Sequence, residues 1–403
     1  MHFQHQQKLI LLICAIFGYL PVSAQKTPTD LQTRFQQMSQ RSEAKGLAES
    51  FKGITADGTV VPDLFKIRST GITTEPVRMA AANFLQSLTQ EQRKKTIYPI
   101  NDPEWRKWMN QHFYIRQGVG FDEMSEDQRQ AAFELLRTSL SAKGLQLTRD
   151  IMRLNHTLGE LNNNNFIEYG EWLYWITIMG EPSANEPWGW QIDGHHVIIN
   201  YFVLGDQVVM TPLFVGSEPV VAESGKYEGT SILQKEQAEG LNMLLALDKK
   251  QQEKAIIEWV KEGNNNLTEA FKDNVILDYA GIKGSALNSN QRDKLVDLVE
   301  LFIENMDEEH SRIRMDEIKE HLEDTYFGWI GGMDDQSAYY YRIHSPVLLI
   351  EFDHQALVGI RHLHPDHKGP HRQHIHVVVR TPNGNDYGKD LLRQHYLQQS
   401  HGK

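Results

Sequence analysis

Seven of the 18 histidines in this 403-residue chain fall between His354 and His376. Histidine titrates closest to neutral pH and is the commonest metal-ligating side chain, so its spacing is where chemistry would begin. Residues two apart in a strand share a face. A strand over His374 to Arg380 therefore puts His374, His376, Val378 and Arg380 on one side, and Ile375, Val377 and Val379 on the other. The preceding strand alternates alike: Leu348, Ile350 and Phe352 read as core, with Glu351 and Asp353 opposite. Paired as a long-looped hairpin, the two strands gather Glu351, Asp353, His374, His376 and Arg380 on one surface. His354 ends its strand, where alternation assigns no side.

A further imidazole comes from an earlier hairpin. Asp193-Gly194 reads as a two-residue turn, which pairs Gln191 with His196 and Ile192 with His195. His196 then shares a polar face with Gln191 and Asn200 and is a ligand candidate. His195 sides with Trp188, Trp190, Val197 and Ile199 and reads as a hydrogen-bonded core histidine. Two imidazoles with a carboxylate suit Zn²⁺, Fe²⁺ or Mn²⁺ with one coordination position open, and three imidazoles also suit Cu²⁺. The expectation is one divalent transition metal, zinc favoured, held by His196, Glu351, His374 and His376.

Asp353 is then the catalytic general base, or the group that orients a ligating ring. Arg380 and Gln191 are expected to anchor a small-molecule substrate. So are Asn385 and Asp386, which lie in the Pro/Asn-Gly turn after the histidine strand and also read as helix caps. Water on the open position makes hydrolysis the favoured chemistry. The alternatives are a copper or iron oxidase, and a non-catalytic extracytoplasmic protein that binds a metal or ligand. Plainer than any of these is a solvated His/Asp/Glu face that holds nothing.

Other strings carry less. No G-x-G-x-x-G, Walker A, G-x-S-x-G or H-E-x-x-H occurs. His362-Leu363-His364-Pro365-Asp366-His367 matches H-x-H-x-D-H, a metal motif of metallo-β-lactamase-like hydrolases. That motif needs further ligands from long stretches of later chain, and little chain follows His367 here. A polar, solvated loop is the better reading. Trp172, Trp175, Trp188 and Trp190 read as core, with a ring-binding wall as the minority reading.

The elements that must position these residues are α+β: a largely antiparallel sheet of hairpins and a meander, with helices packed around it. The first third reads as helical and without a site signature. One helix is expected from Leu31 to Gly53, another from Thr74-Glu75-Pro76 to the residues before Ile97. A third opens at the Ser125 capping box and stops at Gly144, and a fourth runs to about Leu161. Strands follow from Tyr169 to Gly216, with a second two-residue turn at Gly205-Asp206. Helical blocks cover Ser231 to Glu262 and Asn288 to Asp324. Strands return at Tyr339 to His354 and His374 to Arg380, and a helix from Lys389 to Gln398 closes the chain. No internal repeat and no linker is legible, so residues 25–403 read as a single domain.

Apolar residues at 40% and charged residues at 23% fit a folded globular chain and exclude a collagen-like or disordered one. The formal charge of −12 lacks the basic face that nucleic acid needs. Residues 1–24 have the layout of a secretory signal peptide: Lys8, an apolar run from Leu9 to Val22, and Val22-Ser23-Ala24 before Gln25. The run is too short to span a bilayer, so no stable membrane insertion is expected after cleavage, and the destination is periplasmic or secreted. Cleavage removes Cys14, the one cysteine, which excludes thiol catalysis and disulfides from the mature chain.

The strings WGWQIDGHH (188–196), LLIEFDH (348–354) and HIHVVVRTPNGNDYGKDLLRQHY (374–396) resemble those of an uncharacterised bacterial and fungal family, the domain of unknown function numbered three thousand five hundred. The resemblance implies one domain of about this length, often behind a signal peptide. It carries no activity and no site residue.

Overall fold

The computed structural model describes residues 28–400; the expected leader at residues 1–24 lies outside the described residues. After α1 (Pro28–Gly46), the chain runs twice through one order of elements, with one extra short strand in the first pass. The first pass is α2 (Glu75–Ser87), α3 (Gln90–Thr96), β1 (Ile97–Tyr98), β2 (Val119–Gly120), α4 (Glu126–Ser139), α5 (Ala142–Leu161), β3 (Tyr174–Met179), β4 (Trp188–Gly194), β5 (Val197–Leu204), β6 (Gln207–Val209) and β7 (Leu213–Ser217). The second is α6 (Gln234–Leu245), α7 (Lys249–Ala255), β8 (Ile256–Glu258), β9 (Ile282–Lys283), α8 (Ser289–Ile303), α9 (Glu308–Lys319), β10 (Tyr326–Gly331), β11 (Tyr339–His344), β12 (Leu349–Ala356) and β13 (Pro370–Arg380). Helix α10 (Lys389–Ser400) follows.

Apart from β5·β6, which has no counterpart in the second pass, the strand pairings recur. β1 runs parallel to β3 as β8 does to β10, and β2 and β9 lie antiparallel on β3 and β10. The sheet order β1-β3-β4-β5-β7-β13-β12-β11-β10-β8 is a palindrome of corresponding strands. Its centre is the antiparallel pair β7·β13, where Leu213 faces Val379. The shared chemistry is local. Capping boxes at Thr89/Gln92 and Asp248/Gln251 open α3 and α7, and boxes at Ser125/Gln128 and Asn288/Gln291 open α4 and α8. In each pass the two box glutamines bond each other, Gln128 to Gln92 at 2.8 Å and Gln291 to Gln251 at 2.7 Å. The chain therefore holds an internal repeat, contrary to the sequence reading.

The sheet has a helix face and a loop face. Tyr339 and Tyr341 reach α6 backbone carbonyls, and Gly240 admits the Tyr341 ring where a Cβ would sit 2.2 Å from it. The opposite face is covered by segments 99–118 and 259–281, which hold corresponding places in the two passes. Both faces are buried, so the polar face of the histidine strands is interior rather than solvated.

The α+β class, the helices around the sheet and the antiparallel pairing of β12 with β13 follow the sequence reading, with ten α-helices among the described residues. The first third is only partly helical, since 47–74 and most of 97–125 are irregular. Helix α1 ends at Gly46, where Phe271 occupies the space of a Cβ, rather than at Gly53. Thr89 caps a new helix and splits the second expected one. Gly144 lies in the first turn of α5, capped by Ser141, instead of ending α4. The block expected as helix to Glu262 becomes strand β8 at Ile256, and β10 was not foreseen.

Candidate metal centre

His374 and His376 share the loop face of β13, and His376 sits opposite Asp353 on β12 and Gly216 on β7. Gly216 makes room for the rings. A Cβ there would lie 2.3 Å from the Ile375 carbonyl oxygen and 3.3–3.4 Å from the His376 and His196 rings. His196 arrives from the β4–β5 turn, which is two residues later than expected. Gly194 pairs with Val197, so His195 and His196 themselves form the turn and Gln191 pairs with Asn200. The chemistry around Asp193-Gly194 explains the shift. Asp193 is tied to Arg116 at 2.9 Å inside the protein, and Gly194 lies where a Cβ would be 2.0 Å from Tyr174. Tyr174 in turn donates to the His195 carbonyl at 2.8 Å. His196 adopts a left-handed backbone, φ 67°, which turns its side chain toward β13.

The three Nε2 atoms converge. His374 and His376 are 3.0 Å apart, His196 and His376 3.1 Å, and His196 and His374 3.4 Å. Three nitrogens on a tetrahedral zinc would lie about 3.3 Å from one another. Among the described residues this is the one group of three or more potential ligand atoms close enough to share an ion.

Two of the rings are fixed by hydrogen bonds at their far sides. His374 Nδ1 is 2.8 Å from the Ala356 carbonyl oxygen, which can only accept, so Nδ1 is the donor and Nε2 is the nitrogen left to ligate. His376 Nδ1 faces Glu269 Oε1 at 2.7 Å, and donating to it also leaves Nε2 bare. Two lone pairs then confront each other, and a proton on His196 Nε2 can satisfy one of them at most. A cation satisfies all three, and a carboxylate or carbonyl accepting from the far nitrogen is the usual means of aiming such rings. Burial, with the neighbouring imidazoles adding to it, holds His196 and His376 well below 6.5, so both are neutral and able to ligate.

The expected carboxylates are elsewhere engaged. Glu351 is fully buried and accepts from Leu267 N, Thr268 N, the Thr268 hydroxyl and Tyr340. Asp353 pairs with buried Lys261 at 2.5 Å and accepts from Asn265 N, Asn266 N and Gln355. Burial raises Asp353 to about 7 against the pull of Lys261. Neither acid joins the histidine group, because segment 264–269 claims them first. The sequence reading missed the acids that do reach the rings. Glu269 lies on that same segment. Glu218, just after β7, is 3.5 Å from His374 Nδ1 and is held by the amides of Val358, Gly359 and Ile360.

The expected substrate anchors serve the interior. Arg380 is fully buried between Asp273, Asp386 and the Thr268 carbonyl, 5.3 Å above the Trp108 ring. Gln191 bonds Asn200 and the Trp105 carbonyl. Asp386 accepts from Arg380 and Thr381 N, and Asn385 accepts from Leu391 N as a cap. His195 bonds Asn155 at 2.7 Å, as a core histidine should, and His354 is held by Tyr339 and Gln237 on the helix face. Trp188 and Trp190 are buried on the helix face, away from the histidines. His362 bonds the Leu161 carbonyl in an exposed loop, in keeping with a solvated reading of that string.

The three histidines line a cleft of about 250 Å³, with Asn110 to Phe113 on one side and Asn264 and Glu269 on the other. The first third of the chain thus contributes to the site, against expectation. No curated protein and no solved structure matches the chain. The family profile described as "protein of unknown function (DUF3500)" matches residues 70–389, and the chain belongs to that family.

Proposed function

We propose that this chain is an exported, single-domain metal-dependent hydrolase whose ion, zinc favoured, is held by His196, His374 and His376. The observation that carries the reading is the convergence of three buried Nε2 atoms whose partner nitrogens on His374 and His376 are already committed. Three nitrogen ligands leave a fourth position for water, whose pKa such an ion lowers toward neutrality. Glu269 takes the orienting place that the sequence suggested for Asp353.

Metal analysis of the purified chain tests the site: near-stoichiometric metal is expected, and its loss in His374→Ala and His376→Ala. Unchanged metal in both variants overturns the centre. A screen of esters, amides, phosphates and glycosides with zinc-, manganese-, iron- and copper-loaded protein tests hydrolysis. An all-histidine set also suits copper, so oxygen uptake with a reductant and no hydrolysis would replace the hydrolase with an oxidase. Export is tested by the amino terminus of the secreted product, expected at Gln25.

A further inference from the structure

The cleft over the histidines carries a charge pattern that selects among substrates. Its polar lining is built from carboxamides, namely Asn110, Gln111, Asn264 and Gln355, and from the carboxylates Glu218 and Glu269. Among the described residues neither lysine nor arginine lines it. In the surrounding segments Arg116 is bonded to Asp193 and Lys261, 1 % exposed, to Asp353, while Arg361, just beyond Gly359, bonds the Leu357 carbonyl. Glu218 and Glu269 stand beside the rings and set acidic groups against the charge of a bound dication. Lys and Arg forks are the usual means of holding a carboxylate or phosphate, and this cleft offers none.

One wall is aromatic. Phe113 and Tyr169 line the cleft, and His112 packs with them, 5.0 Å from Tyr169 and 5.8 Å from His195 by ring centroids. His112 is itself bound to Glu168 at 3.2 Å. Flat apolar surface facing hydrogen-bonding amides fits a ring-bearing molecule that both donates and accepts.

We infer that the cleft takes an uncharged or cationic, ring-bearing compound, an amide or an amine, and excludes carboxylates and phosphates. This rests on the proposed metal centre for the reacting position, while the selection by charge rests on the lining alone. The test uses four probes that share one ring: benzamide and benzylammonium against benzoate and phenyl phosphate. Binding to the full chain is measured by calorimetry with and without stoichiometric zinc. Benzamide and benzylammonium should bind at least about tenfold more tightly than either anion in both forms. Gln111→Arg, an exposed change at the cleft, should move the order toward the anions.

Equal or tighter binding of the anions to both forms of the unchanged protein overturns the inference. So does the failure of all four probes to bind at millimolar concentration. Anions preferred in the zinc form alone would overturn it as well, because the ion's charge would then outweigh the acids. Failure of the metal centre is a separate result, read as absent metal with the order of probes intact.

Discussion

Glu269 Oε1 lies 2.7 Å from His376 Nδ1, while the other nitrogen of the same ring lies 3.1 Å from His196 and 3.0 Å from His374. One acid on an irregular segment thus sets the direction in which a strand histidine presents its lone pair. Glu269→Gln keeps the shape and removes the charge. It should weaken zinc about 10–100-fold, measured by chelator competition, with unchanged circular dichroism. Unaltered zinc affinity would remove Glu269 from the centre.

Asp353 makes a contrasting case. Its carboxylate and the Lys261 ammonium are 0% and 1% exposed, so Asp353→Ala strands a buried cation. The expected loss is about 3–5 kcal/mol by urea denaturation. A loss of turnover with stability intact would instead restore Asp353 to the chemistry.

His344 offers a pH experiment away from the centre. Its Nδ1 is buried without a hydrogen-bond partner among the described residues, and burial, with Arg342 adding to it, pushes the ring down to about 3. The unfolded chain binds a proton near pH 6.5 that the folded chain refuses until about pH 3, so this group makes stability fall as pH falls through that window. Above it the ring is neutral in both states and contributes no slope. His344→Phe, which keeps a ring 4.6 Å from Tyr279, should flatten that part of the acid loss. Urea curves of both proteins from neutral to acid pH check it; parallel curves would reject the assignment.

The repeat predicts matched costs. Gly118, at φ 88°, and Gly281, at φ 102°, each back onto a strand carbonyl, where a Cβ would lie 2.2 Å from Ile176 O and 2.1 Å from Phe327 O. Gly118→Ala and Gly281→Ala should each destabilise by about 1–3 kcal/mol, from clash and strained backbone. A large cost at one site and none at the other would argue against corresponding roles.

By itself the sequence determined what depends on near neighbours. Alternation in Leu348 to His354 and His374 to Arg380 set which residues share a face, since a strand has a period of two and nothing distant alters it. The boxes at Ser125 and the turn at Gly205-Asp206 are equally local. Tertiary structure decided which polar groups meet. Glu351 had the right face but is taken by Leu267 and Thr268, whose amides come from 84 and 83 residues away. The β4–β5 turn moved because Arg116 and Tyr174 hold Asp193 and Gly194 from outside the hairpin. The repeat stayed hidden because sheet geometry fixes hydrogen bonds and volumes rather than residue types, so that Trp190 on β4 and Tyr341 on β11 fill matching places. A buried acid goes to whichever donors the packed chain brings to it, because leaving those donors unpaired costs more than any local preference can return.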